Sequence, residues 1–151
     1  MAVITVSTNV AAPIEETFAV YTQIDKAAER IPGIDSIEML SEGPFGNGTR
    51  WRETRVMFKM KAVEEMWVTG FDAPNGYSIE AESRGMHYTT LISFTPEGDG
   101  TKVSWEFAGT PLTRGTKIMS PVLNVLMTGT MRKCMLRDLE ALRDVCEKKE
   151  A

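Results

Sequence analysis

The chain has 151 residues, 42% of them hydrophobic and 25% charged, with a net charge of −4 and a pI near 5.1. That length fits one domain, residues 1–151, able to bury a full core without metal or disulfide support. The acidic balance, with basic residues scattered along the chain, excludes nucleic acid as a principal partner, because duplex binding draws its affinity from cationic side chains on phosphates.

The N-terminal "MAVITVSTNV" lacks the basic and long apolar regions of a secretory signal. No run approaches the about 18 apolar residues of a membrane span, so a cytoplasmic protein without an integral membrane segment is expected. Val3–Val10 alternates apolar and polar residues, the period of a half-buried strand. "AAPIEETFAVYTQ" then puts Pro13 where a first helical turn accepts it, Glu15 and Glu16 near the positive end of the helix dipole, and apolar residues at Ile14, Phe18 and Tyr21. Asp25 is placed to cap a second short helix, "KAAERI", which Pro32 and Gly33 stop.

From Ile34 the pattern becomes extended: "IDSIEML", "TRWRETRVMF", "KAVEEMWVTGF", "GYSIEAES", "HYTTLISF" and "TKVSWEFAG". Their separators "SEGPFGNG", "DAPNG", "SRG" and "PEGDG" hold the residues that turns require, and strands joined so tightly must be antiparallel. "GNG" at Gly46–Gly48 leads into no helix and reads as a turn, not a phosphate loop. A long helical pattern closes the chain from about Lys117 to Lys148, with Ser120 and Pro121 as N-cap and first-turn pair. Its apolar stripe, Leu123, Met127, Met131, Met135, Leu139, Leu142 and Cys146, needs a partner. The partner at hand is the sheet face carrying Val103, Trp105 and Phe107 beside Tyr88, Ile92 and Phe94. Cys134 and Cys146 lie about 18 Å apart along that helix, too far to bridge, and with one histidine in the chain no metal site is expected.

Strand, two short helices, six antiparallel strands and a long helix describe an α+β fold: a seven-stranded curved antiparallel sheet (β-α-α-β6-α) wrapped on a C-terminal helix. The stretches "APIEETFAVYTQIDKAAERIPGI", "GNGTRW", "VTGFDAPNGYSIE", "FTPEGDGTKVSWEF" and "MRKCMLRDLEALRD" resemble the START-like superfamily, the polyketide cyclase/dehydrase and lipid transport or helix-grip family. The resemblance implies a cavity between sheet and helix for an apolar or aromatic molecule. It carries over no catalytic motif and no cofactor, since sites rather than folds determine chemistry.

Lone His87 invites a catalytic reading. Strand alternation, however, groups it with Thr89, Leu91 and Ser93, while Tyr88, Thr90, Ile92 and Phe94 take the interior face. If Trp51 faces inward, Glu53 and Arg55 follow it, and the guanidinium would be the best anchor for a ligand carboxylate or carbonyl. Cross-strand ion pairs with Glu64 and Glu65 explain these charges equally well. Trp67, Tyr77 and Trp105 read as cavity or core aromatics. Methionines are numerous, ten in all, and serve either as core filler or as an adaptable pocket lining. Gly129, inside the last helix, marks tolerance, a kink or a close approach.

The residues expected to line a ligand site are therefore Trp51, Glu53, Arg55, Tyr77, Ile79, Tyr88, Thr90, Ile92, Trp105, Phe107, Met127 and Met131, with no catalytic or metal-binding residue among them. The leading expectation is a carrier or sensor of a small hydrophobic or aromatic molecule, such as a lipid, quinone or polyketide-like compound. A cyclase/dehydratase-type enzyme would use the same cavity, with Glu53, Arg55, Tyr88 and Thr90 moving protons. An interaction module resembling chaperone activators would instead expose a contiguous apolar patch. Nothing in the sequence sets an oligomeric state.

Overall fold

The computed structural model describes residues 3–57, 59–83, 85–111 and 121–148, without the side chains of 57, 83, 111, 121–128 and 148. Strand β1 (Val3–Val10) is followed by helix α1 (Ile14–Tyr21), a 3-10 turn (Ile24–Lys26) and the single-turn helix α2 (Ala27–Arg30). Six strands follow: β2 (Ile34–Met39), β3 (Arg50–Met57), β4 (Met60–Asp72), β5 (Gly76–Ser83), β6 (Met86–Glu97) and β7 (Gly100–Pro111). The described part of the terminal helix, α3, runs Pro121–Lys148, so the expected start near Lys117 falls outside the described residues.

All seven strands form one antiparallel sheet in the order β1-β7-β6-β5-β4-β3-β2. The meander from β2 to β7 follows from its short connections, and β1 returns to pair beside β7 with Val6 opposite Trp105. Alternation gives the sheet an inner face of Ile4, Val6, Val10, Val68, Tyr77, Ile92, Phe94 and Val103, all buried, on which Met135, Leu139, Leu142 and Cys146 of α3 close the core. These four recur every three or four residues, so one stripe of the helix is covered.

Two buried hydroxyls tie the layers together. Tyr77 Oη donates to the Tyr21 carbonyl at 3.1 Å, and Tyr21 Oη donates to the Leu139 carbonyl of α3 at 3.0 Å. Burial pushes both phenol pKa values up, so both remain protonated donors at any physiological pH. Around them Phe18, Phe45, Phe71 and Phe94 pack at centroid distances of 4.9 to 6.2 Å, mostly edge-on, with Tyr77 and Phe94 tilted at 31°. This aromatic plug seals one end of the inner face. The β3–β4 hairpin, the start of β6 and the exit of β7 lie at the opposite end, because the register pairs Met57 with Met60, Ser83 with Met86 and Met86 with Pro111.

Two sequence expectations are corrected. Asp25 does not cap α2: the 3-10 turn begins at Ile24 and takes Asp25 into its interior, so α2 starts behind Lys26 with no side-chain cap. Trp67 is not an interior aromatic. Its neighbour Val68 is 1% exposed and takes the inner position, which sends Trp67 outward against Arg50, whose guanidinium carbon sits 4.9 Å from the ring centroid.

Candidate functional site

Strand β3 reads RWRETRVM, and the bulky apolar Trp51, 1% exposed, fixes which set of alternating side chains faces the helix. Glu53 and Arg55 follow Trp51 onto the inner face. The Arg55 guanidinium donates from Nε to Glu53 Oε2 at 3.1 Å and from Nη1 to Asp138 Oδ2 at 2.9 Å. Gly33 makes room for this group: a Cβ there would stand 3.2 Å from Arg55 Nη1 and 3.3 Å from Arg137 Nη2. Burial works against the charged guanidinium, but Glu53 and Asp138 outweigh it and hold its pKa above the ordinary value. Burial likewise raises the Asp138 carboxyl, which Arg55 and then Arg137 only partly offset.

Asp138 is 4% exposed, and its second oxygen, Oδ1, has no hydrogen-bond partner among the described residues. Arg137, whose Nη2 stands by Gly33 beside Arg55, brings a second cation near the two carboxylates. Glu64 stands opposite Glu53 in the β3–β4 register, half-buried on the same face. The guanidinium offered by the sequence as an anchor for a ligand carboxylate thus already has two carboxylate partners.

Beside this cluster the inner face turns apolar without being sealed. Tyr88 and Phe107 stack at 5.4 Å with 22° between their planes, and Gly109 lets them do so, since a Cβ at that position would meet the Tyr88 ring at 3.3 Å. Ile79, Thr90, Trp105 and Met131 share the surface and, like Tyr88 and Phe107, remain half-buried. Trp105 Nε1 is buried with no hydrogen-bond partner among the described residues. Trp51, Tyr77 and Ile92 are 1–2% exposed and form the floor under this surface rather than its lining. Met127's side chain lies outside the described residues.

His87 points outward, where Leu91 of the same face is exposed. It is bracketed by carboxylates, with Nδ1 3.1 Å from Glu82 Oε1 and Nε2 2.9 Å from Glu80 Oε1. Hydrogen bonds to Glu82 and Glu80 raise its pKa, and nothing brings it to the inner face. Of the β3 charges that face outward, Arg50 pairs with Glu65 at 3.0 Å as expected, whereas Arg52 pairs with Glu38 of β2 at 2.6 Å. No group of three or more metal-ligating side chains occurs among the described residues. A separate open depression of about 250 Å³, lined by Thr22, Ile24, Met39, Phe45 and Thr49 among others, contains none of the residues expected to line a ligand site.

Sequence reasoning missed Asp138 and Tyr21. A signal for Asp138 was present: it stands three residues after Met135 and seven after Met131, so helical periodicity puts a carboxylate on the apolar stripe.

The family model described as polyketide cyclase/dehydrase and lipid transport matches residues 1–147. The chain belongs to this family. No curated protein sequence matches it. Among solved structures it is similar to TTHA0849 from Thermus thermophilus, at 19% identity and TM-score 0.80, covering 99% of this chain and 100% of that one. It is also similar to the Zhui aromatase/cyclase from Streptomyces sp. R1128, at 12% identity and TM-score 0.80, covering 99% and 96%. A START superfamily protein from Mycobacterium smegmatis matches at 15% identity and TM-score 0.76, covering 97% of each chain. Identities this low establish the shared helix-grip fold and no shared chemistry. No helix among the described residues is long and apolar enough to cross a membrane.

Proposed function

We propose that this family member is a single-domain cytoplasmic carrier or sensor that holds a small hydrophobic or aromatic molecule against the inner face of the sheet beneath α3. The observation that carries the reading is the half-buried surface of Ile79, Tyr88, Thr90, Trp105, Phe107 and Met131, largely apolar side chains pointing inward yet not consumed by the core. A mostly apolar site with a few fixed polar groups is the ordinary construction of a ligand pocket. Glu53 and Asp138 occupy the Arg55 guanidinium, and Asp138 Oδ1 remains an acceptor without a partner among the described residues. A hydroxyl, phenol or protonated amine can donate to it, whereas a carboxylate or phosphate offers only acceptors to a guanidinium that is already paired. The cargo is accordingly neutral or cationic, with a hydrogen-bond donor, as in a hydroxylated aromatic or a hydroquinone.

Titration with a panel of phenols, hydroquinones, sterols and the matching carboxylates, followed by tryptophan emission and melting temperature, tests this. Donor-bearing neutral compounds raise the melting temperature and their carboxylate counterparts do not. Equal or better binding of the carboxylates, or no binding by any class, refutes the reading.

A cyclase-type enzyme is the second reading, favoured by one feature. Asp138 is a buried carboxyl with a raised pKa and one oxygen without a partner among the described residues, the type of group that transfers protons. Turnover of a model polyketide lost in Asp138→Asn, with binding retained, supports the enzyme; binding without turnover supports the carrier.

A further inference from the structure

On its β4 side the β3–β4 hairpin continues past its neighbour, while on the other side β2 accompanies β3 as far as Ile34 opposite Arg55. Pairing between β4 and β5 ends at Met66 opposite Ala81, but β3 and β4 stay paired to Met57 opposite Met60. Six further residues of strand carry the tip about 20 Å beyond that pair at the usual rise per residue. The tip is closed by Lys59 at a left-handed φ of 63°.

What the tip exposes is unusual for a soluble surface. Met60 is 65% exposed, Val63 55% and Val56 44%, so apolar side chains project from both faces of the ribbon. Residues 54–63, "TRVMFKMKAV", contain Arg55, Lys59 and Lys61 and no acidic residue, in a chain with 21 acidic residues and a net charge of −4. Asp35 lies 3.6 Å from Lys61, an exposed and weakly held pair. Exposed apolar side chains interleaved with lysines along the end of the ribbon fit a bilayer interface, where apolar groups meet acyl chains and long lysine stems carry their ammonium groups back to anionic headgroups. The tip also stands at the end of the inner face opposite the aromatic plug.

We propose that the β3–β4 tip is a docking element for an anionic phospholipid surface. Met60, Val56 and Val63 enter the headgroup boundary while Lys59 and Lys61 pair with lipid phosphates. In this position the end of the inner face opposite the aromatic plug meets the membrane.

The test uses the full chain without added cargo, so it stands or falls independently of the ligand reading. Co-sedimentation is measured with vesicles of phosphatidylcholine containing phosphatidylglycerol and with phosphatidylcholine alone. Binding is expected to the anionic vesicles and to weaken with salt. Lys59→Ala should lower the partition coefficient about five-fold and Lys61→Ala by less because of Asp35, the effect of one cation near such a surface. Met60→Asp should lower it about ten-fold or more, and Lys102→Ala, at the opposite end of the sheet, should leave it unchanged. Met60 is exposed, so an unchanged melting temperature verifies that its variant folds. Absence of binding to anionic vesicles, or binding indifferent to all three tip substitutions, overturns the proposal. So does a wild-type dimer in sedimentation velocity that Met60→Asp dissociates, since the tip would then serve a second copy of the chain.

Discussion

Replacing Arg55 with methionine removes the cation that Glu53 and Asp138 contact directly, and the cost follows from the geometry. With charge centres about 4 Å apart, each pair gains about 4 kcal/mol at an effective dielectric near 20. Desolvation of the three groups offsets much of that, and removal of one partner from a buried pair costs about 3–5 kcal/mol. The Arg55 side chain is 22% exposed, with Glu53 at 11% and Asp138 at 6%, which places the loss at the lower end, about 3 kcal/mol. For a domain of this size that lowers the melting temperature by about 6–12 °C.

The same substitution changes the pH dependence. The Asp138 carboxyl already has a folded-state pKa above its ordinary value, and loss of the guanidinium raises it further. A carboxyl shifted upward stabilises the fold below its unfolded pKa and loses that contribution as pH rises through the folded one. Arg55→Met is therefore expected to regain stability relative to wild type as pH falls from neutrality toward about 5. Urea unfolding of Arg55→Met, Asp138→Leu and the double variant measures the coupling, expected at about 1–3 kcal/mol. A single variant within about 0.5 kcal/mol of wild type, or strict additivity, would refute the buried cluster.

Two further outcomes are expected. The His87 imidazole gains hydrogen bonds with Glu82 and Glu80 that raise its pKa, so the stability it contributes is complete below about pH 6.5 and is lost as pH rises through the higher folded value. Thermal melts of His87→Gln should differ most from wild type below about pH 6.5 and converge as pH rises through the higher folded value; a difference independent of pH contradicts the bracketed imidazole. At Gly76 an added Cβ points into the backbone carbonyl oxygen of Ile92 across the β5–β6 pair, so Gly76→Ala requires the strands to part and should cost about 1–3 kcal/mol by chemical denaturation.

Local patterning carried most of the fold. Turn residues between extended runs dictated the antiparallel meander, and alternation correctly put Tyr88, Ile92 and Phe94 on one face and His87 on the other. Trp67 escaped because "AVEEMWVTGF" is about as apolar on either face, so only the register with Trp51 and Val68 decides its direction. Asp25 escaped because a 3-10 turn and a short α-helix share the same capping residues. The candidate site was half legible. Glu53 and Arg55 followed from their spacing to Trp51, but Asp138 lies 83 residues from Arg55, and no local pattern joins a strand guanidinium to a helix carboxylate. The sealing of Trp51, Tyr77 and Ile92, against the openness of Trp105 and Phe107, depends on where α1 and α3 settle on the sheet, a tertiary quantity that periodicity does not contain.

A neutral, donor-bearing aromatic molecule seated against Trp105 on the inner face would be seen directly in the indole N–H resonances of the three tryptophans. A ¹H–¹⁵N spectrum resolves them, with assignment through Trp51→Phe, Trp67→Phe and Trp105→Phe. Titration with 2-naphthol is expected to shift the Trp105 indole, whose Nε1 has no partner of its own among the described residues, and to leave outward-facing Trp67 in place. 2-Naphthoate, which has no donor for the unpartnered Asp138 oxygen, should need about ten-fold more ligand for the same shift, a difference of about 1.4 kcal/mol. A Trp105 resonance unmoved by either compound, or moved first by the naphthoate, would contradict a neutral aromatic cargo at this surface.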